Sequence, residues 1–240
     1  MTDARRALLG ELIDHAPLFP PASLPLDEAL EDHRRARESR HAWMVRRFVA
    51  PASRFDDLPR NGLRVALVVD APVHPYDERV EAIEGRGDPA VLARLCGEAY
   101  VEIPASERES LGEIASAGAR AKVRCGGDSV PSVEELAGFV RACREQGVRF
   151  KATAGLHHAV RTDSEHGFLN LLAAVVFGDE EEALSEDAED TFRLDEEAFA
   201  WRDRRASAGE LTNAREELFS GIGSCSFTEP VEDLMRLRLL

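Results

Sequence analysis

Residues 121–158 read AKVRCGGDSVPSVEELAGFVRACREQGVRFKATAGLHH, and this stretch decides the fold. Ala121 to Arg124 and Arg149 to Thr153 are short runs of strand length. Between them Pro131-Ser132 opens a helix, Glu134 and Glu135 occupy its first turn, and Leu136, Phe139, Val140 and Cys143 form one apolar stripe before Gly147 stops it. Strand, helix, strand in that order is a parallel unit, because a parallel return needs a crossover of about a dozen residues or more.

Worked outward in both directions, the unit recurs. Further strand-length runs are Leu8 to Ile13, Met44 to Val49, Arg64 to Val69, Val80 to Glu84, Ala99 to Ile103 and Gly221 to Ser226. Eight strands alternating with helical segments in 240 residues predict an α/β protein: a single (β/α)8 TIM-type barrel over residues 1–240. Pro25 to Ser39 has acids early and bases late, which suits a helix dipole. His166 to Phe177 is almost wholly apolar and predicts a helix lying flat on the barrel. One connection is anomalous. Between Asp70 and Arg79 lies only APVHPYDE, with two prolines, so an irregular or missing helix is expected after strand 3. A doubly wound open sheet is the alternative. The acidic run Asp179 to Asp190 reads as a solvated helix face or loop within the last crossover.

The formal charge is −15, from 30 basic and 45 acidic residues. Such a chain is repelled by nucleic acid and by anionic lipid, so no nucleic-acid partner is expected. No run approaches the roughly 18–20 apolar residues that span a bilayer, and the N-terminal apolar stretch is broken by Glu11 and Asp14; no membrane association and no signal peptide are expected. Cys96, Cys125, Cys143 and Cys225 form no C-x-x-C pair, which predicts a reduced, cytoplasmic protein. There is neither a G-x-G-x-x-G nor a Walker loop, and no cofactor is expected. A homo-oligomer is left open.

In a barrel of this kind the site lies where strands end and their loops begin. Polar residues late in the predicted strands are Asp14 and His15, Arg46 and Arg47, Asp70, Glu84, Glu102, Lys122 and Arg124, Lys151 and Thr153, and Ser224 to Ser226. Period-two alternation puts Lys122 with Arg124, and Lys151 with Thr153, on common faces. Adjacent strands lie about 4.8 Å apart, so two inward lysines would face each other. Like charges that close depress each other's pKa, as burial does, and a lysine so tuned forms a Schiff base with a carbonyl compound. The competing reading is structural: Lys122 and Lys151 paired with Glu84 and Glu102 in an ion network. Gly126-Gly127 and Ala154-Gly155 let backbone approach a ligand.

Lys122 on the sixth strand, Lys151 on the seventh and Gly223-Ser224-Cys225-Ser226 on the eighth resemble the end of class I aldolase barrels, nearest in pattern the deoxyribose-phosphate aldolase family. That family carries a Schiff-base lysine on strand six, a second lysine on strand seven that perturbs it, and a glycine/serine turn for phosphate on strand eight. The resemblance covers about the last half of the chain. Where the family has Lys-Thr-Ser-Thr-Gly, this chain has Lys-Val-Arg-Cys-Gly. It implies a lyase acting on a small phosphorylated or carboxylated carbonyl compound. Lys122 or Lys151 would be the nucleophile and Glu102 or Glu84 the proton-transfer group. Arg124, Gly126, Gly127, Ser224 and Ser226 would hold the anion. His157 joins the catalytic candidates, and Asp70, Thr153 and His158 the substrate-binding ones.

Two other readings stay open. His157, His158 and His166, with acids on earlier strands, would suit a metal-dependent hydrolase or isomerase, although no H-x-H or H-E-x-x-H motif is present. A non-catalytic binding barrel, acting through the acidic segment, is the third. Cys125 and Cys225 also fall at strand ends, where a small buried residue is the commoner role for cysteine.

Overall fold

The helix between the sixth and seventh strands shows how local chemistry sets the frame. In the computed structural model, which describes residues 3–73, 77–127 and 130–240, Ser132 caps α5 (Val133–Gln146). The Glu135 N–H donates to its hydroxyl at 3.1 Å, and the Ser132 N–H donates back to the Glu135 carboxylate at 2.8 Å. Two otherwise unpaired donors are thereby satisfied. Gly147 closes the helix at φ 65°, a left-handed conformation that costs glycine little. The stripe Leu136, Phe139, Val140 and Cys143 is buried. Phe139 meets Phe150 edge to face, with ring centroids 5.4 Å apart, which seats the helix on the following strand.

Eight strands close a barrel in which every pairing is parallel. They are β1 (Ile13–His15), β2 (Val45–Pro51), β3 (Val65–Val68), β4 (Val80–Gly85), β5 (Ala99–Glu102), β6 (Arg120–Arg124), β7 (Phe150–Thr153) and, as the closing strand, β11 (Phe219–Ser224). The expected (β/α)8 TIM-type architecture is what forms. Between β3 and β4 no helix occurs among the described residues, and residues 74–76 of that connection lie outside them. The link from β2 to β3 carries only a 3-10 segment, Ala52–Asp57. No helix among the described residues is long and apolar enough to cross a membrane.

Two parts of the chain depart from the sequence reading. The run expected as the first strand, Leu8 to Ile13, is mostly not strand. Ala4–Leu9 is helix α1, capped by the Asp3 side chain, which accepts from the Arg5 N–H at 2.9 Å; the strand begins only at Ile13. The last crossover, besides α6 (Phe168–Phe177), α7 (Glu180–Ser185) and α8 (Ala208–Glu217), holds a small antiparallel sheet. Its strands are β8 (Phe192–Leu194), β9 (Ala198–Trp201) and β10 (Arg204–Ser207). Within the acidic run, Glu180 is buried against Arg144 at 3.3 Å, and Glu186 accepts from Arg202 at 2.7 Å. Some of these acids therefore tether the crossover rather than simply solvate it.

The barrel interior is split. Val49, Ala66, Ala82 and Tyr100 make an apolar cluster on the β2–β5 side. The opposite wall carries charge, because register sets Glu102 beside Lys122, Lys122 beside Lys151, and Arg124 beside Thr153.

Candidate active site

Paired strand positions share a face, so Lys122 and Lys151 lie on one face, and their contacts with Glu84 across the barrel make it the inner one. They do not meet directly. Glu84, at the end of β4, reaches across and stands between them: its Oε2 is 2.9 Å from Lys122 Nζ, and its Oε1 is 2.5 Å from Lys151 Nζ. Lys122 has a second partner, Glu102, at 3.0 Å. Lys151 has Asp14, in the middle of β1, at 2.6 Å, and lies 5.3 Å from the centroid of the Tyr100 ring, where cation and π-face attract.

The electrostatics follow from these contacts. Burial alone would lower the Lys151 pKa, but the Asp14 and Glu84 carboxylates outweigh it and hold the pKa above the ordinary lysine value. The mutual depression expected of two facing lysines is therefore reversed at Lys151, because Glu84 stands between the two and Asp14 adds a second carboxylate at Lys151. Burial would raise Glu84, yet Lys151 and Lys122 bring it down to about 2. Glu102 is lowered as well: burial opposes this, and Lys122 and Arg86 overcome it.

Above the cluster is a cavity of about 290 Å³. Lys122, Lys151, Glu84 and Glu102 lie at its polar wall, with Thr153, Arg124 and Ser224 further round. Phe19 and Pro20, from the loop after β1, form part of its apolar edge. Thr153 Oγ1 is buried and has no partner among the described residues, and the same holds for Asp14 Oδ1. Ala154, next to Thr153, has φ 62°, a conformation that costs a non-glycine residue energy and is concentrated at functional sites.

The other sequence candidates are distributed unevenly. Arg124 lines this cavity and an adjoining one of about 410 Å³ that also borders Arg86 and Glu102. Gly127 has φ 86°, and a Cβ there would lie 2.9 Å from Arg124 Nη2, so the bare backbone makes room for that guanidinium. Gly126 serves packing: a Cβ would stand 2.6 Å from Gly155 Cα, where the ends of β6 and β7 touch. The Ser224 hydroxyl donates to the Ser226 carbonyl at 2.7 Å, and the Ser226 hydroxyl accepts from the Glu229 N–H at 3.2 Å. Both are engaged within their own turn. Asp70 stands apart from the cavity. It lies beyond the end of β3 and accepts the Ser53 N–H and hydroxyl at 2.8 and 2.6 Å, tying two rim loops together.

The histidines do not converge. His157 borders the cavity, with Nδ1 2.8 Å from Glu229 Oε2. His158 is exposed, 4.0 Å from Asp233. His166 is buried and its Nε2 donates to the Pro131 carbonyl at 2.8 Å. Among the described residues no group of three His, Cys, Asp or Glu side chains is placed to hold a metal ion. Burial pushes the Cys125 thiol up to about 12 and raises Cys225 too, so neither is poised as a thiolate.

Three residues of the cluster lack a role in the sequence reading. Asp14 bears a charge just after an apolar run and is the main partner of Lys151. Tyr100 lies two residues before Glu102, so alternation turns it inward. Arg86 binds Glu102 at 2.8 Å and has no signal beyond its place after β4.

Fold and site together define a class: a (β/α)8 barrel with a buried lysine–carboxylate cluster beneath its mouth. No protein-family model matches the chain, and no curated protein matches it in sequence.

Proposed function

We propose that the chain is a lyase of the class I aldolase type, acting on a small phosphorylated or carboxylated carbonyl compound through a Schiff base on Lys122. The observation that carries this reading is the asymmetry of the two lysines. Both border the cavity, but Lys151 is clamped as an ammonium between two buried carboxylates, Asp14 and Glu84, whereas Lys122 shares Glu84 and has as its second partner the less buried Glu102, itself shared with Arg86, at 3.0 Å.

The chemistry runs through those atoms. Lys122 gives a proton to Glu102 and its free amine adds to the carbonyl carbon; the carbinolamine loses water to form an iminium. The iminium accepts the electron pair of the breaking C–C bond, and the proton leaving the substrate hydroxyl goes to a carboxylate of the cluster. Reprotonation of the enamine carbon and hydrolysis then return Lys122. Arg124 offers a two-pronged guanidinium for the substrate's anionic group, and Thr153 Oγ1 offers an unused hydroxyl.

Borohydride trapping with a panel of small aldehydes, keto acids and sugar phosphates tests it, read by intact mass and peptide mapping. The expected result is a stable adduct on Lys122 that disappears in Lys122→Met. Absence of an adduct with every carbonyl tried would remove the imine mechanism. An adduct on Lys151 would reverse the two lysines' roles.

A further inference from the structure

At the end of the barrel remote from the mouth, six arginines gather where strands begin. Arg46 and Arg47 lie at the start of β2, Arg64 precedes β3, Arg120 opens β6, Arg149 precedes β7, and Arg215 reaches in from α8. Three carboxylates serve them among the described residues. Glu98 takes Arg46 at 2.9 Å, Arg47 at 2.7 Å and Arg120 at 2.8 Å. Glu81 takes Arg47 at 3.0 Å and Arg64 at 2.7 Å, and Glu11 takes Arg64 at 2.6 Å.

Six guanidiniums against three carboxylates leave three positive charges over, in a chain whose net charge is −15. Water screens them only in part: the side chains of Arg46, Arg47 and Arg120 are 13%, 4% and 21% exposed, and that of Arg64 37%. Arg215 is buried and is held by the backbone carbonyls of Leu8, Phe219 and Ser220. Arg149 has no such compensation. Its Nη2 makes one long contact, 3.5 Å, to the Arg215 carbonyl, and its Nε is buried without a partner among the described residues. Burial and the charges of Arg120 and Arg46 oppose its protonated form, and Tyr100 and Glu98 offset this only in part. Arg215 is pushed down to about 10 by burial, Arg46 and Arg149. A buried, unpartnered donor on a half-buried cation, among like charges, is costly unless an anion meets it.

We propose that the barrel floor is a binding site for a small tetrahedral oxyanion, phosphate or sulfate, seated on Arg149 with Arg46 and Arg120 alongside. The planar fork of a guanidinium matches such an oxyanion in two parallel hydrogen bonds. The site is independent of the mouth, and its role is to hold together the strand ends that carry these arginines.

Thermal unfolding of the full chain at fixed ionic strength, with chloride replaced by low-millimolar inorganic phosphate, tests the site. A ligand that binds only the folded state raises Tm in a saturable way, by about 3–6 °C at ten times its dissociation constant for a chain of this size. The rise should disappear in Arg149→Gln and persist in Arg124→Gln, which removes the cationic group at the mouth. Should Arg149→Gln fail to fold, Arg120→Gln gives the same readout from the neighbouring strand. A rise that does not saturate, that chloride reproduces, that survives both floor variants, or that vanishes in Arg124→Gln would overturn the proposal.

Discussion

Lys122 and Lys151 are register partners, yet removing each has a different consequence. Lys151→Met leaves Asp14 without a hydrogen-bonded cation among the described residues and takes one of two from Glu84, with both carboxylates buried. Breaking a buried pair in this way costs about 3–5 kcal/mol. Lys122→Met leaves every carboxylate a partner, because Glu84 keeps Lys151 and Glu102 keeps Arg86; the expected loss is about 1–3 kcal/mol. Urea unfolding of the two variants decides, and equal losses would contradict the asymmetry on which the assignment of Lys122 rests. The lysines are legible in sequence because a charge at the end of an apolar strand is uncommon and period two fixes its face. Asp14 is less legible: with the first strand placed at Leu8 to Ile13, its side chain falls just outside. Asp70 follows the same pattern after β3, but there the strand ends at Val68 and the carboxylate turns to Ser53. Position after a strand nominates a residue; only the loop's path decides where it points.

At the scale of elements, the barrel depends on ends as much as on interiors. Ser132→Ala removes the hydroxyl half of the α5 capping box and should cost about 1 kcal/mol, measured as a fall in the urea midpoint with an unchanged slope. Gly126→Ala tests the tightest contact between β6 and β7. The new methyl would stand 2.6 Å from Gly155 Cα and 2.8 Å from its nitrogen, and neither backbone yields cheaply. A loss of about 1–3 kcal/mol is expected, with the strand ends that carry Arg124 and Thr153 displaced. Wild-type stability in this variant would mean that the two strand ends are looser than their contact implies. Elements with strong punctuation are the ones a reader of the sequence finds. The α5 helix has Ser132 at one end and Gly147 at the other. The α1 helix instead merges into β1 through one apolar run, and short apolar runs fit either state. Strands β8 to β10 have three or four residues each within a charged segment, too few for alternation to register.

Across the whole molecule, pH reaches a buried pair that couples α2 (Leu26–Glu38) to the barrel. His15 at the end of β1 stacks on His33 of α2, with centroids 5.6 Å apart and Nδ1 atoms 3.4 Å apart. Phe48 and Phe227 close around them. Burial pulls His15 down to about 4, and burial with the charges of His15 and Arg37 pulls His33 down to about 3. Asp32 lies 3.4 Å from His15 Nε2 without hydrogen-bond geometry and does not offset this. In the unfolded chain both rings titrate near the ordinary histidine value, about 6.5. As pH falls below that, the unfolded state binds protons that the folded state refuses, so stability is complete above about 6.5 and falls toward the folded values. The loss is on the order of 2–3 kcal/mol by two pH units below, for the first of the pair to be protonated. Glu84, held down to about 2, also favours folding at neutral pH, but that contribution is lost only below the ordinary carboxylate range. The window from about 6.5 to 4.5 therefore reports chiefly on histidine. His166, also lowered by burial, adds a share with the same sign. Urea unfolding at steps from pH 7.5 to 4.5 should show stability level down to about 6.5 and falling below it, and His15→Gln/His33→Gln should flatten most of that slope while His166 and His41 keep the remainder. A double variant whose profile runs parallel to the parent would show that α2 stays docked without regard to the charge on these two rings.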